Sequence, residues 1–278
     1  MSGVLRPPFS WLAWPKAAIL SCDMPTGLLK YFSTDRDKLE RFTNGQIYLT
    51  PPKYFNDPWD FLVRSEPPSR ELLKRVVPCV HPASVAEFQA FVSTADSLEA
   101  EAREVQEGLS KLIGLVCLTE NPLDRLMWAH YGESHQGFVA EFEHSDEGIS
   151  KAGFRVCDTP FGGAVKVDYQ SVQPVLKRDT SNMEEVVVTK HASWEYEQEW
   201  RVMQSLAKGA PHPTRKGFVL VGFGPSHLLR VILGLRATTE VRIQLRQMLN
   251  HEAFKHVRRE VVCIDPHSRE LKTCPLSW

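Results

Sequence analysis

The chain has 278 residues, of which 42% are hydrophobic and 24% are charged, and its formal net charge at pH 7 is -1. This composition is typical of an ordinary globular protein of one large or two small domains. The near-neutral charge excludes a general electrostatic attraction to nucleic acid or anionic lipid, although it leaves room for a local basic groove.

Six cysteines stand at positions 22, 79, 117, 157, 263 and 274, without a C-x-x-C pair or a histidine at zinc-ligand spacing. This spacing predicts reduced, mostly buried thiols, a cytoplasmic location and no zinc site. Pro15 and Lys16 interrupt the apolar residues near the N-terminus, and no run of 18 apolar residues occurs. Neither a signal peptide nor a membrane span is therefore expected.

The N-terminal part of the chain predicts a lead-in, a few short elements and a helical insertion. Residues 1–26 are rich in proline and aromatic side chains and are expected to be irregular. A helix over 35–43 can be capped by Thr34 or Asp35 and ends at Asn44-Gly45. The remaining elements predicted for this part are strands at 28–32 and 47–49 and a helical insertion over 69–112.

The C-terminal part predicts short strands with helices between them. The strands are expected at 115–118, 137–142, 165–169, 194–202, 218–221, 231–233 and 261–264, and the helices at 122–131, 182–190 and 238–250. Because these strands and helices do not alternate regularly, the pattern indicates an α+β fold rather than a parallel sheet. The absence of a linker-like break predicts a single domain over residues 1–278.

Residues 194–202, with the sequence WEYEQEWRV, carry the strongest functional signal. Read with the period of a strand, they put Glu195, Glu197, Glu199 and Arg201 on one face. Neighbouring like charges repel one another, so this face suits a ligand or transition state that carries positive charge. A solvated edge strand, in which Arg201 pairs with Glu199, explains the same pattern without a function.

Two further motifs could belong to a site. Asn56-Asp57-Pro58 forms a rigid turn with two hydrogen-bonding side chains, and the segment 127–135 offers the rings of tryptophan, tyrosine and two histidines to a planar ligand. Each motif also has a structural explanation, as an Asx turn and as the aromatic core face of a helix. The sequence contains no glycine-rich nucleotide loop, serine-hydrolase elbow or zinc-protease motif.

Together these motifs resemble a large bacterial domain family without assigned function. The marks of that family are an N-D-P turn, an M-W-x-x-Y helix and a W-x-Y-E-x-E-[WY]-R strand, which correspond here to residues 56–58, 127–131 and 194–201. The scaffold is also distantly similar to the ADP-ribosyltransferases, in particular to the toxins that modify thymidine in DNA. The resemblance implies a split core of two small sheets, with the helical insertion packed outside.

The resemblance also implies a set of site residues, with NAD as the substrate. Residues 197–202 are similar to the strand that carries the catalytic glutamate, which implies Glu199 as that glutamate and Glu197 as its supporting neighbour. Lys30 and Lys190 are implied for the diphosphate, and aromatic rings for nicotinamide or adenine. The implied cofactor-binding residues are Lys30, Tyr31, Ser33, Asn56, Trp128, Tyr131, Tyr169 and Lys190. Tyr31 stands where the toxins have histidine.

Three hypotheses for the function follow. In the first, the chain is an NAD-dependent ADP-ribosyltransferase, a toxin or phage-defence effector with a nucleic-acid or protein acceptor and an antitoxin or regulatory partner. Its carboxylate would stabilise the oxocarbenium-like sugar of the transition state. In the second, the chain is a non-catalytic domain that binds a nucleotide or a partner protein. In the third, Glu197 and Glu199 hold a metal ion in a nucleic-acid-processing enzyme.

Overall fold

The computed structural model describes residues 27–61, 95–144, 163–177 and 182–278. The predicted lead-in, residues 1–26, lies outside the described residues, and so does the part of the predicted insertion from 69 to 94. The last part of that insertion is a helix, as predicted. No helix among the described residues is long and apolar enough to cross a membrane.

The strands found in these ranges are β1 (Gly27–Phe32), β2 (Gln46–Leu49), β3 (Ile113–Thr119), β4 (Phe138–Glu143), β5 (Val165–Lys166), β6 (Asp168–Gln170), β7 (Thr189–His191), β8 (Glu199–Ser205), β9 (Ala210–Pro211), β10 (Val219–Gly222), β11 (Leu228–Leu233), β12 (Arg258–Ile264) and β13 (Leu271–Pro275). The α-helices are α1 (Arg36–Thr43), α2 (Ala95–Leu112), α3 (Arg125–His130), α4 (Met183–Val188) and α5 (Thr239–Leu249).

Most strands join one sheet of eight, in the order β13-β12-β11-β4-β1-β3-β8-β5, beside a three-stranded sheet β2-β10-β9 and the pair β6-β7. The mixture of helices and several sheets confirms the α+β prediction. β1 and β3 connect the two halves of the main sheet. They do so through one register pair, Leu29 with Thr119, whereas β3 and β8 stay in register over seven pairs.

One face of the main sheet is covered by α1 and α5. The Asp35 carboxylate caps α1 by accepting from the amide of Lys38 at 2.9 Å, and Leu39 and Phe42 point from this helix into the core. The helix ends before Gly45, whose φ of +72° favours glycine. Both helices were predicted close to their observed bounds, because their caps and apolar spacing are local features of the sequence.

The opposite face of the sheet packs against α3 and holds the candidate site. Because side chains alternate along a strand, Glu199 and Arg201 of β8 point to this face while Trp200 and Val202 join the core on the other side. Leu29 and Tyr31 of β1 lie on the same face as Glu199, in an apolar cluster with Trp128.

The strand predicted over 194–202 is wrong in its first half. Ala192–Glu197 is a 3-10 helix, and Gln198 has φ +44° and ψ +50°, so the strand begins only at Glu199. Glu195 therefore does not share a strand face with Glu199, and its side chain is exposed. The solvated edge strand is also wrong, since Glu199 and Arg201 are buried.

The prediction of reduced cysteines is wrong for the last two. Cys263 and Cys274 form a disulfide between β12 and β13, with their Cα atoms 6.3 Å apart. The terminal strand β13 was not predicted, and its antiparallel pairing with β12 brings the two residues within disulfide reach. Cys117 of β3 is a free thiol.

Candidate functional site

Five charged side chains meet in the interior beside β8 and form a network of ion pairs. They are Asp60, Lys190, Glu197, Glu199 and Arg201, and each residue is at most 3% exposed. Four segments contribute them: the turn at 56–61 and, far along the chain, the consecutive β7, 3-10 helix and β8. Three carboxylates face two cations, so the network carries an excess negative charge when every group is ionised.

Lys190 lies at the centre of the network. Its Nζ donates to Glu197 Oε2 at 2.5 Å and to Glu199 Oε2 at 3.0 Å, and lies 3.8 Å from Asp60 Oδ2. Burial alone would lower the pKa of Lys190, but the three carboxylates raise it above its ordinary value. The ammonium therefore occupies the space between the carboxylates that a metal ion would need, and it is not available for the predicted contact with a diphosphate.

Arg201 binds the other side of the carboxylates. Its Nε and Nη2 donate to the two oxygens of Glu199 at 3.0 and 3.1 Å, and Nη2 also donates to Asp60 Oδ2 at 2.6 Å. Its Nη1 donates to the carbonyl of Val187 at 2.6 Å, and the guanidinium lies 4.8 Å from the ring centre of Phe61. A planar guanidinium can make all of these contacts at once, whereas an ammonium cannot.

The carboxyl groups of the network differ in acidity. Burial would raise the pKa of Glu199, but Arg201 and Lys190 outweigh it and lower this pKa to about 2. Burial raises the pKa of Glu197, against the opposing charge of Lys190, and raises the pKa of Asp60 to about 6. Two neighbouring glutamates with pKa values displaced in opposite directions are typical of acid–base chemistry.

A hydrogen-bonded chain connects the network with solvent. The exposed side chain of Asn56 donates from Nδ2 to the Tyr131 hydroxyl at 2.8 Å, and that hydroxyl donates to Glu197 Oε1 at 2.5 Å. Burial and then the charge of Glu197 raise the pKa of Tyr131, so it remains a hydroxyl. Glu197 is therefore bonded directly to the chain that leads to the surface, whereas the carboxylate of Glu199 is bonded to Lys190 and Arg201.

The backbone at Gln198 aims both glutamates at one lysine. A left-handed conformation is rare for a residue with a side chain and costs about 1 kcal/mol or more. Here it turns the chain from the 3-10 helix into β8 in a single residue, with the Gln198 amide donating to the Glu195 carbonyl at 3.1 Å. Next to it, the Glu199 amide donates to the Tyr169 hydroxyl at 2.8 Å.

Two predicted site residues pack in the interior instead of facing a ligand. Trp128 is 0% exposed, and its indole nitrogen donates to the carbonyl of Pro122 at 2.9 Å. The rings of Tyr31 and His135 contact it, with ring centres 5.1 and 5.3 Å away. Since neither Trp128 nor Tyr31 offers a free ring face, the structure gives them a packing role in place of the predicted stacking role.

The other predicted residues divide into two groups. Asn56, Tyr131, Tyr169, Lys190, Glu197 and Glu199 are connected by hydrogen bonds. Lys30 instead donates to the carbonyl of Cys117 at 3.3 Å, and burial lowers the pKa of its ammonium. Ser33 accepts from the amide of Asp35 at 3.3 Å, at the start of α1. Neither Lys30 nor Ser33 is hydrogen-bonded to the ion network.

Sequence reasoning missed Asp60 and Cys117. Asp57 accepts from the Trp59 amide at 2.9 Å, and this Asx turn directs Asp60 inward. A second aspartate three residues after the first was the available signal for Asp60. Cys117 stands opposite Arg201 in the sheet, so its side chain lies on the same face as Arg201. Burial raises the pKa of this thiol, so it is not a reactive nucleophile.

Comparison with known proteins gives one match. A family described as "Protein of unknown function (DUF2971)" matches residues 127–202. This range includes the last four residues of α3, Lys190, both glutamates and Arg201, and it leaves out the turn with Asp60. No curated protein and no solved structure matches the chain. The segment that contributes most of the ion network is therefore similar to a domain family without assigned function.

Proposed function

We propose that this chain is an NAD-dependent ADP-ribosyltransferase, and that Glu197 and Glu199 are its functional carboxylates. The observation that supports this most is the pair of glutamates bound to one lysine with oppositely displaced pKa values. Glycosyl transfer from NAD needs both a fixed negative charge and a group that accepts a proton. The single register pair between β1 and β3 is compatible with an ADP-ribosyltransferase-like split of the sheet.

In the proposed reaction, the bond between nicotinamide and ribose breaks, and its electron pair leaves with nicotinamide. The sugar becomes oxocarbenium-like, and the ionised Glu199 supplies negative charge that stabilises it. A nucleophilic atom of the acceptor forms the new bond to the ribose carbon and gives its proton to Glu197. The Tyr131 hydroxyl, itself hydrogen-bonded to the Asn56 amide, holds the Glu197 carboxylate in place, and Glu197 gives the proton to solvent when the products leave.

A non-catalytic binding domain is the second candidate, and one observation favours it. Both oxygens of Glu199 are already bonded, to Arg201 and Lys190, and the residue is 3% exposed. A carboxylate enclosed in this way can serve the structure alone. No comparable observation favours the metal-dependent hypothesis: among the described residues no group of side chains is arranged to hold a metal ion, and Lys190 fills the space between the carboxylates.

The wider biological role is proposed from the resemblance alone. On that basis the chain would act as a toxin or phage-defence effector, while the proposed cytoplasmic location rests on the cysteine spacing. Its acceptor would be a nucleic acid or a protein, and an antitoxin or another regulatory protein would be its partner.

The proposed function is tested by nicotinamide release from NAD, with matched glutamate-to-glutamine variants. Glu199→Gln keeps the side-chain size but removes the charge, so the rate should fall by about 10²–10³. Glu197→Gln should lose less at neutral pH but should abolish the rise of activity with pH. Glu195→Gln makes the same chemical change at an exposed position of the same segment and should be neutral.

Circular dichroism establishes that each variant is folded. Equal rates for the wild type and a folded Glu199→Gln variant would refute the assigned role. If the wild type releases no nicotinamide and calorimetry detects no NAD binding, the non-catalytic hypothesis replaces the transferase.

A further inference from the structure

We propose that Asp60 is a positioning residue for the two glutamates, acting through Arg201 and Lys190 so that Glu197 retains its ability to take up a proton. This inference rests on the proposed function, because it assigns Asp60 a part in the same site. Neither the sequence motifs nor the family match includes Asp60.

The contacts of Asp60 connect it with both cations of the network. Its Oδ2 accepts from Arg201 Nη2 at 2.6 Å and lies 3.8 Å from Lys190 Nζ. Arg201 is 141 positions away in sequence, so the turn at 56–61 is held against β8 by this contact. Gln106 of α2 donates to the Asp60 carbonyl at 2.9 Å and fixes the backbone of the turn from the other side. The position of the carboxylate is therefore defined by three separate elements.

The other oxygen of Asp60 has no such partner. The side chain is 0% exposed, yet no described residue donates a hydrogen bond to Oδ1. A buried, unsatisfied carboxylate oxygen is costly, and a side chain with a purely structural role would bond both oxygens or be replaced by an apolar residue. This orphan oxygen indicates that the negative charge of Asp60 matters more than its hydrogen bonds.

The effect of that charge follows from the shared lysine. Lys190 lies 2.5 Å from Glu197 and 3.8 Å from Asp60, which puts the two carboxylates within about 6 Å of each other. With three carboxylates and two cations, Glu197 is incompletely neutralised and can bind a proton. Without Asp60 the cations would match the carboxylates, so Glu197 would stay ionised and would be a weaker base. Asp60 thus sets the basicity of Glu197 without touching a substrate.

The test compares Asp60→Asn with Asp57→Asn. Both variants make the same change on one turn, at residues 1% and 4% exposed, but Asp57 serves the turn and not the ion network. The carboxyl carbons of isotope-labelled glutamate and aspartate are titrated by NMR in the wild type and in both variants. Removing the charge of Asp60 should lower the pKa of Glu197 by about one pH unit. Asp57→Asn should leave it unchanged.

A second readout is the pH dependence of nicotinamide release. Its acidic limb should shift to lower pH in Asp60→Asn by the same amount, and it should not shift in Asp57→Asn. An unchanged Glu197 titration in folded Asp60→Asn would overturn the inference, whether or not the protein releases nicotinamide. If the wild type releases no nicotinamide but the pKa of Glu197 is lower in Asp60→Asn, the transferase function is rejected and the positioning role of Asp60 is retained.

Asparagine keeps the volume of Asp60 and an acceptor oxygen for Arg201, so the variant should fold. If the variant does not fold, the titration of the wild type still tests the inference. Asp60 and Glu197 must then each titrate in two steps, because protonation of one carboxyl changes the pKa of the other. Independent single-step titrations of the two carboxyls would refute the inference.

Discussion

Replacing Arg201 by methionine tests whether the ion network is as tightly coupled as its geometry indicates. Methionine keeps a similar length and fills the space beside Phe61, so the main change is loss of the guanidinium. That loss removes four hydrogen bonds, two to Glu199, one to Asp60 and one to the carbonyl of Val187. Three buried carboxylates then remain with only Lys190 to neutralise them.

The expected loss of stability follows from the burial of these groups. Breaking a buried ion pair by removing one partner costs about 3–5 kcal/mol, so we expect Arg201→Met to lose about 4 kcal/mol. In a chain of this size that corresponds to a melting temperature lower by about 10 °C. Arg201→Lys keeps the charge but cannot bind both oxygens of Glu199, and it should lose about half as much.

The measurement is thermal unfolding at pH 7 followed by circular dichroism. Arg125→Met is the matched control, because Arg125 pairs with Glu270 at 3.1 Å with both side chains at least 60% exposed. An exposed pair of this kind contributes less than about 1 kcal/mol. If Arg201→Met is no less stable than Arg125→Met, the buried network is not a coupled unit and the argument fails.

Two further predictions concern stability. Asp60 has a pKa of about 6 in the folded protein and about 3.9 in an unfolded chain. Between these pH values the folded protein binds a proton that the unfolded chain does not, so its stability should fall as the pH rises from about 4 to 7. Thermal melts across that range should show the slope in the wild type and a weaker slope in Asp60→Asn; identical slopes would contradict the assignment. Cys263→Ser opens a disulfide that spans 11 positions and should cost about 3 kcal/mol, measured as a lower melting temperature without reductant. Addition of a reductant should destabilise the wild type and leave this variant unchanged; equal melting temperatures of the two proteins without reductant would contradict the prediction.

The elements that depend on local sequence were predicted well. Helix α1 has a capping aspartate, two apolar residues three positions apart and a glycine after its end, all between Asp35 and Gly45. Helix α5 has Thr238 as its cap and Val241, Leu245 and Leu249 on its buried face. Caps and periodicity act over one or two helical turns, so the sequence alone reveals them.

The features that depend on distant parts of the chain were not predicted. Asp60 meets Arg201 across 141 positions, and no local pattern in either segment indicates that contact. The disulfide likewise needs the pairing of β12 with β13 before its cysteines become neighbours. Residues 194–202 were predicted as one strand for a related reason. Tertiary contacts maintain the left-handed conformation of Gln198, which glutamine by itself disfavours, so the sequence does not reveal the break.

Several features of this site lower the stability of the fold, and together they favour a catalytic role over a purely structural one. A buried ion network is often no more stable than a well-packed apolar core of the same volume. This one also contains an aspartate oxygen that has no partner among the described residues and a strained backbone at Gln198, and it has more carboxylates than cations. Each feature lowers stability, yet together they hold Glu197 against Lys190 and connect it with solvent through Tyr131. Within the pair, Glu197, which is hydrogen-bonded to Tyr131, is suited to move a proton, and Glu199, with both oxygens bonded to cations, is suited to remain charged.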